Sequence, residues 1–153
     1  MKKLLVLVLF SLCSNVVSAQ NLNAETEAVK KVINRLFDGM RKGDSLMVNS
    51  TFSKGMIMQS ISNKQGVTQV QTDDAAGFLK AVGTPHPEIW DERITFDQVL
   101  IDSNLASVWT RYKFYIGDKF SHCGVNSFQL IKGNEGWKIV HLIDTRRKDN
   151  CIN

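Results

Sequence analysis

After Pro87 the chain settles into four runs rich in β-branched and aromatic residues, 94–101, 105–116, 121–131 and 137–145. Turn signals part them: Asp102-Ser103-Asn104, Gly117-Asp118 and Gly133-Asn134-Glu135-Gly136. Links this short join antiparallel neighbours, because a parallel pair needs a crossover of about a dozen residues or more. The second half is therefore expected to be an antiparallel meander, and what precedes it has to cover one of its faces.

The first half has helical periodicity. Ala28, Val29, Val32, Ile33, Leu36, Phe37 and Met40 fall at three-and-four spacing, which predicts an amphipathic helix over 24–42, with Asn23 able to cap its start and Gly43 to end it. Asp44 is placed to cap a second helix, 45–52, that carries Leu46, Met47 and Val48. A short strand over 56–61 precedes the polar stretch SNKQG. Thr72 or Asp73 can cap a third helix through Phe78, Leu79 and Val82, which Gly83-Thr84-Pro85 stops. The plan is α+β: three N-terminal helices packed on one face of a strongly curved antiparallel sheet. There is no internal repeat, low-complexity tract or linker.

Residues 1–19 read as a secretory signal peptide. Lys2 and Lys3 precede an apolar run from Leu4 to Cys13, and Val17-Ser18-Ala19 offers small residues at the positions a signal peptidase reads. The residue before Cys13 is Leu12, where a lipoprotein signal needs a small one. Cleavage after Ala19 would leave residues 20–153 as a single domain, secreted or periplasmic. No other run approaches the ~18 apolar residues of a membrane span, so no membrane partner is expected after cleavage. Losing Lys2 and Lys3 lowers the formal charge from +4 to +2, too little to argue for nucleic acid, and Arg146-Arg147-Lys148 reads as a solvated chain end. Cys13 would leave as well. The remaining Cys123 and Cys151 suggest one disulfide in an oxidising compartment, with two free thiols as the alternative.

The segment RKGDSLMV that closes the first helix, the short strand after it and the final GWKIVH resemble the nuclear transport factor 2-like superfamily. Within it, HPEIWDERI, FSHCGVNSFQL and DTRRKDNC are most similar to the secreted "Putative lumazine-binding" family, over nearly all of residues 20–153. The resemblance implies a cone in which a curved sheet wraps the long first helix and leaves a pocket open at one end. It also implies a homodimer through the sheet, since such dimers are frequent in the superfamily. Isomerases, cyclases, dehydratases, hydrolases and binding-only proteins share the fold, so fold does not fix function. The isomerases carry a basic aspartate on the short strand, where this chain has Met58, Gln59 and Ser60, and a tyrosine on the first helix, which has none here. Those roles do not carry over.

The turns suggest a register. A two-residue loop at Gly117-Asp118 sets Ile116 against Lys119, Lys113 against His122, Arg111 against Gly124 and Trp109 against Asn126. A four-residue loop over 133–136 sets Lys132 against Trp137, Phe128 against His141 and Asn126 against Ile143. Strand alternation then gathers Trp109, Arg111, His122, Asn126, Phe128, Ile139 and His141 on one face. Cys123, Val125, Ser127, Val140, Leu142 and Asp144 fall on the other. The first face, which also holds Arg111, has the make-up of a small-molecule site: Trp109 and Phe128 to stack on a ligand, Asn126 and His141 to orient it, His122 near the rim. The plainer reading is that the polar residues are solvated and His141 is a satisfied core histidine. A single bulge would reverse part of this assignment.

Adjacent strand residues point to opposite faces, so His122 and Cys123 do not make a nucleophilic dyad. His86, His122 and His141 lack any close ligand spacing, so no metal is expected, and no cofactor motif is present. Acid-base chemistry stays open through Asp91, Glu92, Asp97 or Asp144. Asp91 and Glu92 can equally pair with Arg93 or the terminal arginines. Asn49-Ser50-Thr51 fits a glycosylation sequon inside a predicted helix. The sequence thus predicts a secreted or periplasmic protein that binds an unknown small molecule and has no identifiable catalytic set. Two alternatives remain: an acid-base enzyme using His141 with Asp97 or Asp91, and a non-catalytic interaction dimer joined through Val125, Val140 and Leu142.

Overall fold

A computed structural model describes residues 2–151, with the backbone alone for residues 2–21 and 64. The expected signal peptide, residues 1–19, has its side chains outside the described residues. Helix α1 spans Lys2–Lys42. It ends because Gly43 turns left-handed at φ 65°, letting Asp44 N–H reach Gly39 O at 2.9 Å and Gly43 N–H reach Met40 O at 3.1 Å. Val29, Ile33, Leu36, Phe37 and Met40, one stripe of this helix, are buried. Asp44 then caps α2, Ser45–Asn49, by accepting from Met47 N–H at 2.8 Å. This helix is shorter than the spacing predicts, because Phe52 opens a strand.

That strand, β1 (Phe52–Lys64), forms a hairpin with β2 (Val67–Asp73) over Gln65 and Gly66, both at positive φ. The polar stretch SNKQG thus supplies the end of β1 and the turn. Because Asp73 completes β2, the cap of α3 (Ala75–Gly83) falls to Asp74, which accepts from Ala76 and Gly77 N–H. Strands β3 (Trp90–Asp102), β4 (Leu105–Ile116), β5 (Lys119–Gly133) and β6 (Gly136–Thr145) form the expected meander. The sheet has six strands in the order β2-β1-β6-β5-β4-β3, antiparallel throughout except that β1 runs parallel to β6.

The sheet's inner face closes on α1. Phe37 meets Phe128 edge-on at 6.3 Å, with Val108, Leu130 and Ile139 fully buried around them. Near the start of the packed part of α1, Glu25 accepts from Trp137 Nε1 at 2.8 Å and Lys132 Nζ at 2.6 Å.

Two bulges correct the predicted register. Ile116 faces Lys119 and Lys132 faces Trp137 as the turns require. An extra residue on β5, Ser121, then shifts the pairing so that Phe114 faces His122 and Arg111 faces Val125. An extra residue on β6, Val140, likewise brings Gln129 opposite His141, Phe128 opposite Leu142 and Asn126 opposite Asp144. Each one-residue slip turns a stretch of the partner strand over. Beyond β6 the same shift puts Cys123 opposite Arg147 rather than Arg146, joined by two backbone hydrogen bonds of 2.9 Å. Cys123 and Cys151 form a disulfide with Cα atoms 5.9 Å apart, holding the tail against β5.

Candidate functional site

The end of the cone opposite Glu25 is not filled. The last turns of α1, helix α3 and the inner faces of β1 and β3–β6 enclose a cavity of about 580 Å³. Its apolar wall is Leu36, Phe37 and Met40 from α1, Phe78 from α3, and Met58, Trp90, Phe114 and Leu142 from the sheet. The polar groups come from β3, β5 and the end of β6: Glu92, His122, Asn126, Asp144 and Arg146. Asp73, from the end of β2, adds a further carboxylate.

Alternation along β3 turns Trp90, Glu92, Ile94 and Phe96 toward the interior, which carries one carboxyl group into an apolar stripe. The Glu92 carboxyl receives the Asn126 amide at 2.8 Å. Burial pushes its pKa up to about 7, with the Asp144 charge adding to the rise and the Asn126 hydrogen bond and Arg146 opposing it. Asn126 is itself buried and lies 3.4 Å from Thr110 Oγ1.

Asp144 is held differently. It accepts from Tyr112 OH at 3.1 Å and from Arg146 Nε at 2.9 Å. Tyr112 OH also reaches Thr145 O at 2.9 Å, and burial with the neighbouring Asp144 charge raises the phenol far above its ordinary pKa, so it stays a neutral donor. Arg146 lies between Asp144 and Asp73, the latter at 3.9 Å, and Asp73 in turn accepts from Ser60 Oγ at 3.1 Å. The His122 ring stands edge-on to Tyr112 and tilted against Phe114, with Nδ1 3.0 Å from Ser121 Oγ. Burial, reinforced by the positive Arg146, lowers its pKa and favours the neutral imidazole.

Gly124 makes this arrangement possible. A Cβ there would fall 1.8 Å from Thr145 O and 2.7 Å from Tyr112 Cε1, so only glycine lets the phenol and the chain after β6 meet.

Of the residues the sequence selects, His122 and Asn126 line the cavity. Phe128 is fully buried beneath it as core. Trp109, Arg111 and His141 lie on the outer face, turned over by the two bulges. Trp109 is 47 % exposed, Arg111 pairs with Asp97 at 2.9 Å, and His141 Nε2 lies 3.1 Å from Gln59 Oε1. Leu142 and Asp144, assigned to the outer face, are inside. Asp91 pairs with Arg41 and Arg93 at 2.8 and 2.7 Å, so neither it nor Asp97 meets His141. The sequence offers Glu92 and Asp144 as acid candidates without placing them in the pocket, and gives no site role to Tyr112 or Arg146. A signal for the two acids was present: in Trp90-x-Glu92-x-Ile94-x-Phe96 and Leu142-x-Asp144 an acid occupies an apolar position of a strand. Among the described residues, no group of three or more potential metal ligands converges.

The family model described as "Putative lumazine-binding" matches residues 24–142. The chain belongs to that family. No curated protein matches it. Solved structures place this lumazine-binding-family chain in the nuclear transport factor 2-like, cystatin-like fold. A nuclear transport factor 2-like protein of unknown function from Shewanella baltica aligns with TM-score 0.64 at 17 % identity, covering 82 % of this chain and 96 % of that one. One with a cystatin-like fold from Novosphingobium aromaticivorans aligns with TM-score 0.70 at 10 % identity, covering 87 % and 88 %. A third, from Streptomyces avermitilis and described as a "putative dehydratase", aligns with TM-score 0.60 at 12 % identity, covering 83 % and 99 %. At these identities the likeness is one of fold.

Proposed function

We propose that this member of the lumazine-binding family is an exported small-molecule-binding protein whose ligand occupies the cavity between α1, α3 and the sheet. The observation that carries the reading is the unfilled cone: about 580 Å³ bounded by an apolar wall with a few converging polar groups, the size and make-up of a ligand site. Native mass spectrometry of protein purified from its own host tests it. A retained small molecule is expected. Loss of the reading follows if none is retained and a compound library leaves the methyl resonances of Met40 and Met58, both in the wall, unmoved. Export rests on the signal-like residues 1–19, and an intact mass of the exported protein beginning at Gln20 checks it.

A second reading is acid-base catalysis. Glu92 favours it, because a cavity carboxyl titrating at about 7 suits a group that both takes and gives a proton near neutrality. The catalytic residue would then be Glu92, with His122 and Tyr112 as neutral partners, rather than His141 with Asp97 or Asp91. Pairing of two copies through the outer sheet face is the remaining proposal. The exposed Trp109 supports it beside Val125 and Val140, while Leu142 lines the cavity instead. Sedimentation equilibrium decides that point.

A further inference from the structure

Most carboxylates around the cavity already have a partner of opposite sign or a helix terminus. Asp144 takes Arg146, Asp73 lies 3.9 Å from the same guanidinium, and Asp74 caps α3. Asp91, just outside, takes Arg41 and Arg93. Among the described residues no cation pairs directly with Glu92, and Arg146 acts on it only at a distance. Its carboxyl makes one hydrogen bond among the described residues, from the Asn126 amide to Oε1. Arg146 is likewise committed and offers an anionic ligand little. The chain carries a formal +4, or +2 without residues 1–19, yet this cavity is lined by Asp73, Asp74, Glu92 and Asp144 against Arg146 alone, so the pocket's field opposes the sign of the molecule.

We infer that the pocket takes an amphiphilic organic cation, an amine or a protonated nitrogen heterocycle on an apolar body, with its charge set against Glu92. This rests on the proposal that the cavity is a binding site and names the chemistry it selects. A donor N–H on the ligand would supply the charge-assisted hydrogen bond that the second carboxyl oxygen lacks. The body would lie against Phe78, Trp90 and Phe114, whose ring faces also favour a cation. A bare anion would meet the uncompensated Glu92 carboxylate in a partly desolvated space.

The groups facing Glu92 are Tyr112 from β4, His122 and Asn126 from β5, Asp144 and Arg146 at the end of β6, and Asp73 from β2. Tyr112 and His122 are held neutral, so the ionisation of Glu92 governs how cation binding varies near neutral pH.

The test uses three probes with one apolar body: tryptamine, indole-3-propionamide and indole-3-propionate, which are cationic, neutral and anionic. Each is titrated calorimetrically into the full protein and its Glu92→Gln variant near pH 6 and near pH 8. Expected at the higher pH is an affinity order of cation, neutral, anion, with the cation ahead of the neutral probe by about tenfold. That ratio should shrink at the lower pH and collapse in Glu92→Gln, while the neutral probe binds both proteins alike. An anion that binds as well as the cation, or a ratio unchanged in a folded Glu92→Gln, overturns the inference and leaves the cavity reading standing. If no probe binds at millimolar concentration, both fall. If Glu92→Gln does not fold, the wild-type ratio decides, and one that is flat between the two pH values overturns the inference.

Discussion

Glu92→Gln should make this protein more stable, and only above acidic pH. The carboxyl has an ordinary pKa of 4.5 when the chain is unfolded and about 7 when folded. Below the lower value it is protonated in both states and contributes nothing. As pH rises past it, the unfolded chain gives up its proton while the folded one keeps it, so stability falls until the folded value is reached and is level thereafter. At about 1.4 kcal/mol per unit the full span corresponds to roughly 3 kcal/mol. Glu92 keeps partial solvent contact through the cavity, so about 2 kcal/mol is the loss to look for. Glutamine keeps the shape and the Oε1 acceptor for Asn126 but cannot ionise. Urea unfolding of both proteins from about pH 4.5 to about pH 8.5 would give the difference curve, which isolates this group from the other titrations. Expected is a stability difference near zero at the acid end, rising in favour of the variant and levelling above neutrality. A difference independent of pH would refute the placing of Glu92 as a desolvated carboxyl without a counter-charge, and with it the electrostatic reading of the pocket.

Gly124→Ala should cost about 3 kcal/mol or more in thermal or urea unfolding, since the new methyl group meets a backbone oxygen at 1.8 Å and the Tyr112 ring at 2.7 Å. The tail or the phenol must move, and near-ultraviolet circular dichroism should register the disturbed tyrosine. Cys151→Ala, which opens a cross-link spanning a sequence separation of 28, should lower stability by about 3 kcal/mol, read from unfolding under non-reducing conditions. Intact mass before and after reduction and alkylation gives the independent check, and two free thiols in oxidised protein would remove the expected loss.

How far the sequence carried depends on what each element buries. The meander and α1 were legible because their apolar spacing and turn residues agree, and the caps at Asp44 and Gly43 are local events that need no partner. Strand β2 was invisible for the opposite reason: six of its seven residues are exposed, so VTQVQTD has no apolar alternation to read, and only pairing with β1 makes it a strand. The site failed at a different level. Both predicted turns set the right starting pairs, and β5 kept its expected inner face, with His122, Asn126 and Phe128 directed inward. The faces of β4 and β6, however, were inherited from β5 through a count of residues, and Ser121 and Val140 each add one. Thr110, Tyr112 and Phe114 therefore replace Trp109, Arg111 and Lys113 on the inside, and Leu142 and Asp144 replace His141 and Ile143. A bulge carries no composition of its own, but the side chains it redirects do. Exchanging an exposed tryptophan and arginine for a buried threonine and tyrosine restores polar satisfaction, because Thr110 meets Asn126 and Tyr112 meets Asp144 only in the bulged register. In the unbulged register Asp144 would leave the interior, and Phe114 would turn outward together with Glu92, its partner on β3. The two extra residues are thus what bring Glu92, Asn126 and Asp144 into one cavity.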